Sequence, residues 1–463
     1  MTSTSTALEA AALEARAQRG LRISVIDGCL YAVMVGASES FVGAMAVELG
    51  HRDTALALLF TLPMLIGSSC QLLAGPIVAL LGARKRLVLI AAYLQAASVL
   101  GLYLIAEHGV RELWPLLLVD TLYFVCALIL GPAWGAWMAS LTEGRQRERY
   151  FARRSGWLQV WLLLSFVGAG VALHSAGGDP AAKLHTFALL HLCGFVFRLL
   201  SASMLALQPD IEVASERRNV RQSVAAIRTA LHTAEFGVAA YLALLMFGTH
   251  IAVPFLTPYM LRDLQLDYAT YAALTAVPIV IKALLFPALH PLSLRFGMRK
   301  VLIWSAAGVV SVPALWVVLD TVPGLVLVQA LSGLAWGGLE FASFQLLLSS
   351  ARPDCRVEFL SIASSLSSTT QLIGGLGAGL LRTHLGWSYA TLFMLSSLGR
   401  GVALLWIVGA LPRRMRTEMP RLFLRVISLR PGTGTLQRPI VHDEPTPESN
   451  SKTGLESEPR AQS

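Results

Sequence analysis

Long apolar stretches alternate along this chain with short polar loops. A bilayer core about 30 Å thick requires roughly 20 apolar residues per helix, and twelve stretches of the 463-residue chain reach that length. The pattern predicts an all-α polytopic membrane protein with six spans in each half. The spans of the first half lie near 22–48, 54–81, 87–107, 113–141, 155–177 and 186–207, and those of the second near 236–261, 268–292, 301–320, 323–350, 358–381 and 387–412.

The two halves repeat one another. A shift of 215 positions carries Pro63 onto Pro278 and Gly82 onto Gly297. Self-similarity in an apolar chain predicts two structural halves related by an axis along the membrane normal, with a path between them. We therefore expect a cytoplasmic N-terminal segment (1–20), two six-helix bundles (21–207 and 236–412) joined by a central loop (208–235), and a tail (413–463) that is basic and then disordered.

The repeat is clearest in the loop after the second span of each half. The first copy, GPIVALLGARKR from Gly75 to Arg86, resembles the signature of the major facilitator superfamily, Gly-x-x-x-Asp-(Arg/Lys)-x-Gly-(Arg/Lys)-(Arg/Lys), although Ala79 replaces the Asp. The matching residues are Gly75, Gly82, Arg84 and Lys85, followed in the second copy by Gly297, Arg299 and Lys300. The resemblance covers about residues 21–412, is of the bacterial type and identifies no subfamily. It implies two pseudo-symmetric six-helix bundles and transport of a small solute by alternating access.

The charge distribution defines a topology. With 55% hydrophobic and 14% charged residues the chain is too apolar for a soluble globular protein. Its net charge of +9 would suit a nucleic-acid partner, but 17 of the 37 lysines and arginines lie in inter-helix loops on one side and only five in those on the other. The positive-inside rule makes the basic side cytoplasmic, together with both termini. We therefore expect a monomer in the plasma (inner) membrane, with anionic lipid headgroups as partners and no nucleic acid.

The basic tail also contains apolar residues. Between Arg413 and Arg430, six arginines are interleaved with leucine, phenylalanine, valine and isoleucine. This composition predicts a helix that lies on the membrane surface against anionic lipid.

Carboxylates inside the predicted spans are candidate proton sites, because an ionised group at that depth costs about 2.5–3.5 kcal/mol and usually faces a cavity or a partner. Glu39, Glu340 and Asp120 are these proton-coupling candidates. The alternative for Glu39 is a protonated acid in a helix-packing hydrogen bond. Asp120 lies near the external end of its span, where we expect a solvated mouth position.

Other polar residues in the spans are substrate-cavity candidates. Lys282, near the middle of the eighth span, must point into water, bind an anionic group or pair with a carboxylate. His250 lies near mid-membrane, where Pro254 and Pro258 predict a locally broken helix, and a histidine satisfied by packing is the alternative. The remaining candidates are Gln71, Gln345, Trp336 and Gln371.

Each half also places an arginine inside its last span. Arg198 and Arg400 are expected to be structural cations, since the resemblance makes the sixth and twelfth spans outer supports rather than cavity walls. Asp27 is a candidate partner for Arg198.

These residues favour a proton-coupled secondary transporter over an enzyme. The sequence contains no metal-spaced His/Cys set, nucleophile triad or phosphate loop, so no metal or other cofactor is expected. The direction of transport stays open, with efflux favoured. Because the signature motifs in the loops are degenerate, a second class of protein remains an alternative: a transport-inactive sensor or lipid-handling protein.

Overall fold

The computed structural model describes residues 2–140, 144–209, 220–233, 236–349, 356–410, 423–430 and 434–440. It confirms the predicted all-α fold with twelve spans in two bundles. Eleven helical segments among these residues are long and apolar enough to cross a membrane. The remaining span is the eleventh, Arg356–Leu385, which is rich in serine and threonine and therefore less hydrophobic.

Helices account for both bundles. The first half contains α1 (Thr2–Ala37), a 3-10 turn (Glu39–Phe41), α2 (Val42–Glu48), α3 (Asp53–Gln71), α4 (Ala74–Leu81), α5 (Arg84–Glu107), α6 (Leu113–Ser140), α7 (Gly144–Ser175) and α8 (Pro180–Leu207). After α9 (Val220–Thr233), the second half contains α10 (Phe236–His250), α11 (Val253–Pro258), a π-helical turn (Tyr259–Asp263), α12 (Tyr268–Phe296), α13 (Met298–Val318), α14 (Val322–Ser349), α15 (Arg356–Leu385) and α16 (Tyr389–Ala410). Helix α1 begins before the predicted first span and runs into it without a break.

The two halves meet along two seams. Helix α3 packs against α15, and α7 packs against α12. Each seam joins a span of the first half to a span of the second. A rigid-body movement of one half relative to the other must therefore change the packing at both seams. Small residues make the close packing feasible: a Cβ added to Gly170 of α7 would lie 2.3 Å from the Ala272 Cβ of α12.

Specific residues set the ends of several helices. Gly82 ends α4 with a φ of 71°, and Gly297 separates α12 from α13 with a φ of 86°, backbone conformations that glycine adopts without steric cost. The Asp267 side chain caps α12 by accepting hydrogen bonds from the backbone N–H groups of Ala269 and Thr270. These residues determine where the signature loops lie and where the eighth span begins.

The first and seventh spans are interrupted inside the membrane. The first changes from α-helix to a 3-10 turn at Glu39–Phe41, and the seventh is divided between His250 and Val253 before its π-helical turn. The prolines predicted the second break, since proline removes a backbone donor. Interrupted spans expose backbone groups where a cavity or another helix can use them.

The tail prediction needs correction. Phe423–Arg430 is a β-strand, β1, paired antiparallel with β2 (Gly434–Ile440), rather than a surface helix. Strand β2 lies in the segment predicted to be disordered. The sequence contains β-branched Val426 and Ile427 and a Pro431-Gly432 pair between the strands, which favour a hairpin over a helix.

Candidate functional site

An ion pair joins the eighth and tenth spans within the membrane region. The Lys282 Nζ of α12 donates a hydrogen bond to the Glu340 Oε1 of α14 over 2.7 Å. The lysine side chain is 2% exposed and that of the glutamate 25%. The second carboxylate oxygen of Glu340, Oε2, is buried and has no hydrogen-bond partner among the described residues. The Oε2 atom of Glu340 can therefore accept a proton or a hydrogen bond from a ligand.

Glycines bring the two helices close enough for this pair. A Cβ on Gly333 would lie 2.9 Å from the backbone oxygen of Pro278, and one on Gly337 would lie 3.4 Å from the Cγ of Lys282. Both glycines are on the face of α14 that packs against α12, because residues four apart share a helix face. The same face carries Glu340 one turn further on.

Two other carboxylates are buried in the first half. Glu39 is 8% exposed, lies in the 3-10 turn of the first span, and is near Tyr123 and Tyr271, the latter from the second half. Asp120 is only 3% exposed. The expected solvated mouth position of Asp120 is therefore wrong, because its helix turns this side chain into the bundle.

The other predicted cavity residues come from the second, seventh, tenth and eleventh spans. His250 is 6% exposed, and its Nδ1 lies 3.1 Å from the backbone oxygen of Met246 within its own helix. Gln71 keeps a buried Oε1 without a hydrogen-bond partner among the described residues, and Gln371 is buried on α15. The side chain of Gln345 lies outside those described.

A polar network that sequence reasoning found only in part connects the first span to the sixth. Arg198 donates through Nη1 to Ser201 Oγ at 2.6 Å, and Ser201 donates to Asp27 Oδ1, also at 2.6 Å. The proposed partnership of Asp27 and Arg198 is thus bridged by a hydroxyl. Arg198 Nε also donates to Gln95 Oε1.

Arg154 is the member of this network that the sequence did not indicate. Its guanidinium lies 3.7 Å from Asp27, stacks 4.5 Å from the Trp134 ring centroid and donates to the Ser24 backbone oxygen. The sequence places Arg154 in an arginine-rich loop, so its charge is ascribed to topology. Its position close to the aromatic end of the fourth span is the signal that could have found it.

The predicted external face carries a second cluster, centred on Asp53. This carboxylate accepts hydrogen bonds from Arg262, Arg382 and Tyr389, all in the second half. Arg262 also donates to the backbone oxygen of His51 at 2.8 Å. Burial, followed by the charge of Arg262, lowers the pKa of His51 from its usual 6.5. The cluster holds the two halves together at the predicted external face.

The residues of the signature loops contact their own half. Lys85 donates to the Gln208 backbone oxygen at 2.7 Å and lies 5.8 Å from the Trp137 ring centroid. In the second half Arg299 donates to the Val408 backbone oxygen at 3.1 Å. Each loop therefore fastens the start of the third span of its half to the end of the sixth span of the same half.

This architecture defines a class of protein: a polytopic membrane protein with two six-helix halves, buried charges and polar contacts that join the halves at one end. Residues 238–431 match the model of the Major Facilitator Superfamily. The chain has the fold of major facilitator superfamily transporters, and its second half matches the model of that family. The resemblance predicted from the loops is confirmed.

Solved structures agree in fold. A mutant of the nucleoside transporter NupG is 13% identical, covering 86% of this chain and 100% of that chain, with a TM-score of 0.62. A D-xylose-proton symporter is 16% identical, covering 85% and 97%, also with a TM-score of 0.62. The partially occluded inward-open xylose transporter XylE from E. coli is 13% identical, covering 87% and 100%, with a TM-score of 0.63. A search of curated protein sequences finds no match.

Proposed function

We propose that the protein is a proton-coupled secondary transporter that moves a small polar or anionic solute across the plasma membrane by alternating access. The observation that carries the proposal is the Lys282–Glu340 pair, with its 2.7 Å hydrogen bond and a second carboxylate oxygen that has no partner among the described residues. A structural pair would satisfy both oxygens. This one leaves an acceptor available.

The pair supplies a charge-balanced coupling step. When Glu340 is ionised, it neutralises Lys282. When Glu340 takes up a proton, Lys282 loses its counterion and can bind an anionic group of the solute in its place. Release of the proton restores the original pair and displaces the solute. The energetic basis is the cost of an unpaired charge in the membrane, about 2.5–3.5 kcal/mol on insertion scales.

The contacts at the external face support alternating access. Asp53 joins spans of both halves through Arg262 and Arg382, and Gly170 packs on Ala272 across the second seam. Opening this face requires breaking these contacts, whereas the bonds of Lys85 and Arg299 lie within their own halves. Rocking of the two bundles about a central site can therefore open one face while each bundle stays intact.

Glu39 is the second proton candidate in this proposal. Its 3-10 turn interrupts the first span, and Phe41 in the same turn stacks 5.0 Å from Phe166 and contacts the ring of Tyr271 at 6.3 Å. A proton on Glu39 would alter the charge where the two halves meet. We place both termini in the cytoplasm on the basis of the loop charges. The coupling step carries the proton and the solute in the same direction, so an inward proton gradient drives import rather than the efflux favoured from the sequence.

Proteoliposomes of the purified protein test the proposal. Pools of small solutes are added under an imposed pH gradient, and proton movement is followed for wild type, Glu39→Gln, Glu340→Gln and Lys282→Ala. Glu107→Gln is the matched control, because Glu107 pairs with His185 at the exposed end of α5, away from the membrane interior. We expect a solute to drive proton flux that Glu340→Gln abolishes and Glu107→Gln leaves unchanged.

The opposite result favours the other class. If no solute moves protons under either gradient, while a ligand binds tightly to the folded protein, the sensor or lipid-handling function replaces transport. If wild type takes up solute without moving protons, the proposed proton coupling is wrong, but the protein is still a transporter.

A further inference from the structure

A small cavity lies inside the second bundle, and neither Lys282 nor Glu340 is among its lining residues. Its lining is mostly apolar and comes from the seventh, ninth, tenth and twelfth spans: Ala252, Val253, Leu256, Val312, Pro313, Trp316, Trp336, Phe393 and Arg400. Two of these residues carry an N–H donor that is buried and has no hydrogen-bond partner among the described residues, Arg400 Nε and Trp316 Nε1. Buried donors without partners are uncommon and call for an explanation.

Close helix packing fixes Arg400 at this position. A Cβ on Gly248 of α10 would lie 2.7 Å from the Arg400 backbone nitrogen, and Ser396 one turn earlier donates to the Gly248 backbone oxygen at 2.6 Å. The guanidinium is 2% exposed and donates to the backbone oxygen of Val309 at 2.8 Å. Its face lies 6.0 Å from the Trp336 ring centroid. The side chain therefore cannot reach solvent without disrupting the bundle.

The corresponding arginine of the first half is neutralised differently. Arg198 reaches the Asp27 carboxylate through Ser201. In the seventh span, the 215-residue shift places Leu242 where the first span has Asp27, whereas Arg400 corresponds to Arg198 by its place inside the last span of its half. Among the described residues, Arg400 has no carboxylate within ion-pair distance and bonds only to backbone oxygens. A buried charge without a counterion is costly, so buried charges are normally paired.

We propose that this cavity binds a small inorganic anion of the halide class, chloride being the abundant example, held by Arg400 and Trp316. The anion supplies the counterion that Asp27 provides in the first half, and it accepts the two donors that otherwise have no partner. This site is independent of the proton coupling proposed above.

The lining favours a monatomic anion. Apart from the indole N–H of Trp336, the other lining side chains present aliphatic carbons, proline and an aromatic ring rather than hydrogen-bond donors. A phosphate or carboxylate would bring several acceptor oxygens into this apolar surface and leave most of them unsatisfied. A halide needs few donors and tolerates contact with ring edges and aliphatic groups. A water molecule in the same cavity would accept the hydrogen bonds but leave the charge of Arg400 uncompensated.

The position of the cavity gives the anion a role in stability. Ala252 and Val253 lie at the break of the seventh span, so a bound anion connects that break to the ninth and twelfth spans. A ligand that binds only the folded state raises the free energy of unfolding. Once the ligand concentration exceeds the dissociation constant, the increase grows with the logarithm of that concentration. Chloride should therefore raise the thermal unfolding midpoint of the protein.

Thermal unfolding in detergent tests the site, with chloride exchanged for gluconate at constant sodium and ionic strength. We expect a saturable rise in the midpoint with chloride and bromide and none with gluconate. Trp316→Phe keeps a smaller aromatic ring but removes the indole N–H donor, and should weaken the chloride dependence about tenfold. Trp304→Phe is the matched control, because Trp304 lies on the same helix and is 54% exposed.

A second measurement does not depend on any variant folding. Crystals of the wild-type protein grown with bromide should show an anomalous peak between the Arg400 guanidinium and the Trp316 ring. Equal midpoints in chloride and gluconate, or a Trp316→Phe variant with unchanged chloride dependence, would overturn the proposal. An ordered water without anomalous signal at the site would do the same.

Discussion

The Lys282 Nζ and the Glu340 Oε1 lie 2.7 Å apart between the eighth and tenth spans, although 58 positions separate them in the chain. The lysine is almost completely buried, whereas the glutamate is a quarter exposed. This asymmetry means that the two partners respond differently to removal of the other. A carboxylate that loses its lysine can take up a proton and become neutral, but a buried ammonium that loses its carboxylate is left as an unpaired charge.

The first prediction concerns that asymmetry. Glu340→Gln should destabilise the protein by about 3–5 kcal/mol, the cost of breaking a buried ion pair from one side, with the partial exposure of Glu340 favouring the lower end. The double variant Lys282→Met/Glu340→Gln removes both charges and should recover most of that loss. Unfolding free energies measured in one detergent compare the variants.

Glu107→Gln provides the control for this series. Its ion pair with His185 is exposed, and such pairs contribute about 0.2–1 kcal/mol. The Lys282–Glu340 pair is not a desolvated interaction if Glu340→Gln lowers the free energy of unfolding no more than Glu107→Gln does. The same conclusion follows if the double variant is the least stable of all.

The sequence predicts the spans because their signal is local. Apolar length, the repeated loop and the proline pair in the seventh span are each contained within one short segment of the chain. The pairing of Lys282 with Glu340 is not local: each residue alone indicates an expensive charge, but nothing in the spacing joins them. The same limit applies to Asp53, whose three donors come from the seventh, eleventh and twelfth spans.

Two residues show where local reasoning gives the wrong answer. Arg154 belongs by composition to a basic loop, yet it is 7% exposed and stacks on Trp134. Tertiary packing decides its environment. Asp120 lies near the end of an apolar stretch and is buried all the same, because depth along a span does not determine which face of the helix a residue occupies.

The second prediction concerns the external cluster. Asp53→Asn removes the charge that Arg262 and Arg382 share, and charge-assisted hydrogen bonds contribute about 1.5–3 kcal/mol each, enough for a shift of tenfold or more between closed and open external faces. Spin labels at Arg111 and Asp320, which are exposed at the external ends of opposite halves, report the separation. We expect a larger fraction of the molecules to show the longer distance between the two labels. Unchanged distances would show that Asp53 does not hold this face closed.

The third prediction is a pH dependence centred on His51. Its pKa is lowered in the closed arrangement, where burial and the Arg262 charge disfavour the protonated ring. An open external face that hydrates His51 returns the pKa toward 6.5, so the open form binds the proton more readily. The closed form should therefore lose stability relative to the open form as the pH falls from about 6.5 toward the lowered pKa, and change no further below it. Above about 6.5 this residue should have no effect.

The same spin labels measure this titration. His51→Gln keeps a polar side chain of similar size without a titrating group, and should flatten the dependence between neutral and mildly acidic pH. The backbone oxygen of His51, which accepts from Arg262, is unaffected by the substitution. A His51→Gln protein that still opens on acidification would assign the titration to another residue.

The fourth prediction concerns the seam between the fifth and eighth spans. A Cβ at Gly170 would lie 2.3 Å from Ala272 Cβ and 3.1 Å from the Tyr268 backbone oxygen, so Gly170→Val cannot fit while the halves are in contact. The external face should open, and the spin-label distance should lengthen. Gly168→Val is the matched control, since a Cβ at Gly168 meets nothing within 4 Å on the same helix. A carrier that must close this face in each cycle should lose transport with Gly170→Val while Gly168→Val stays active. Equal distances and equal activity in the two variants would mean that the seam is not closed during transport.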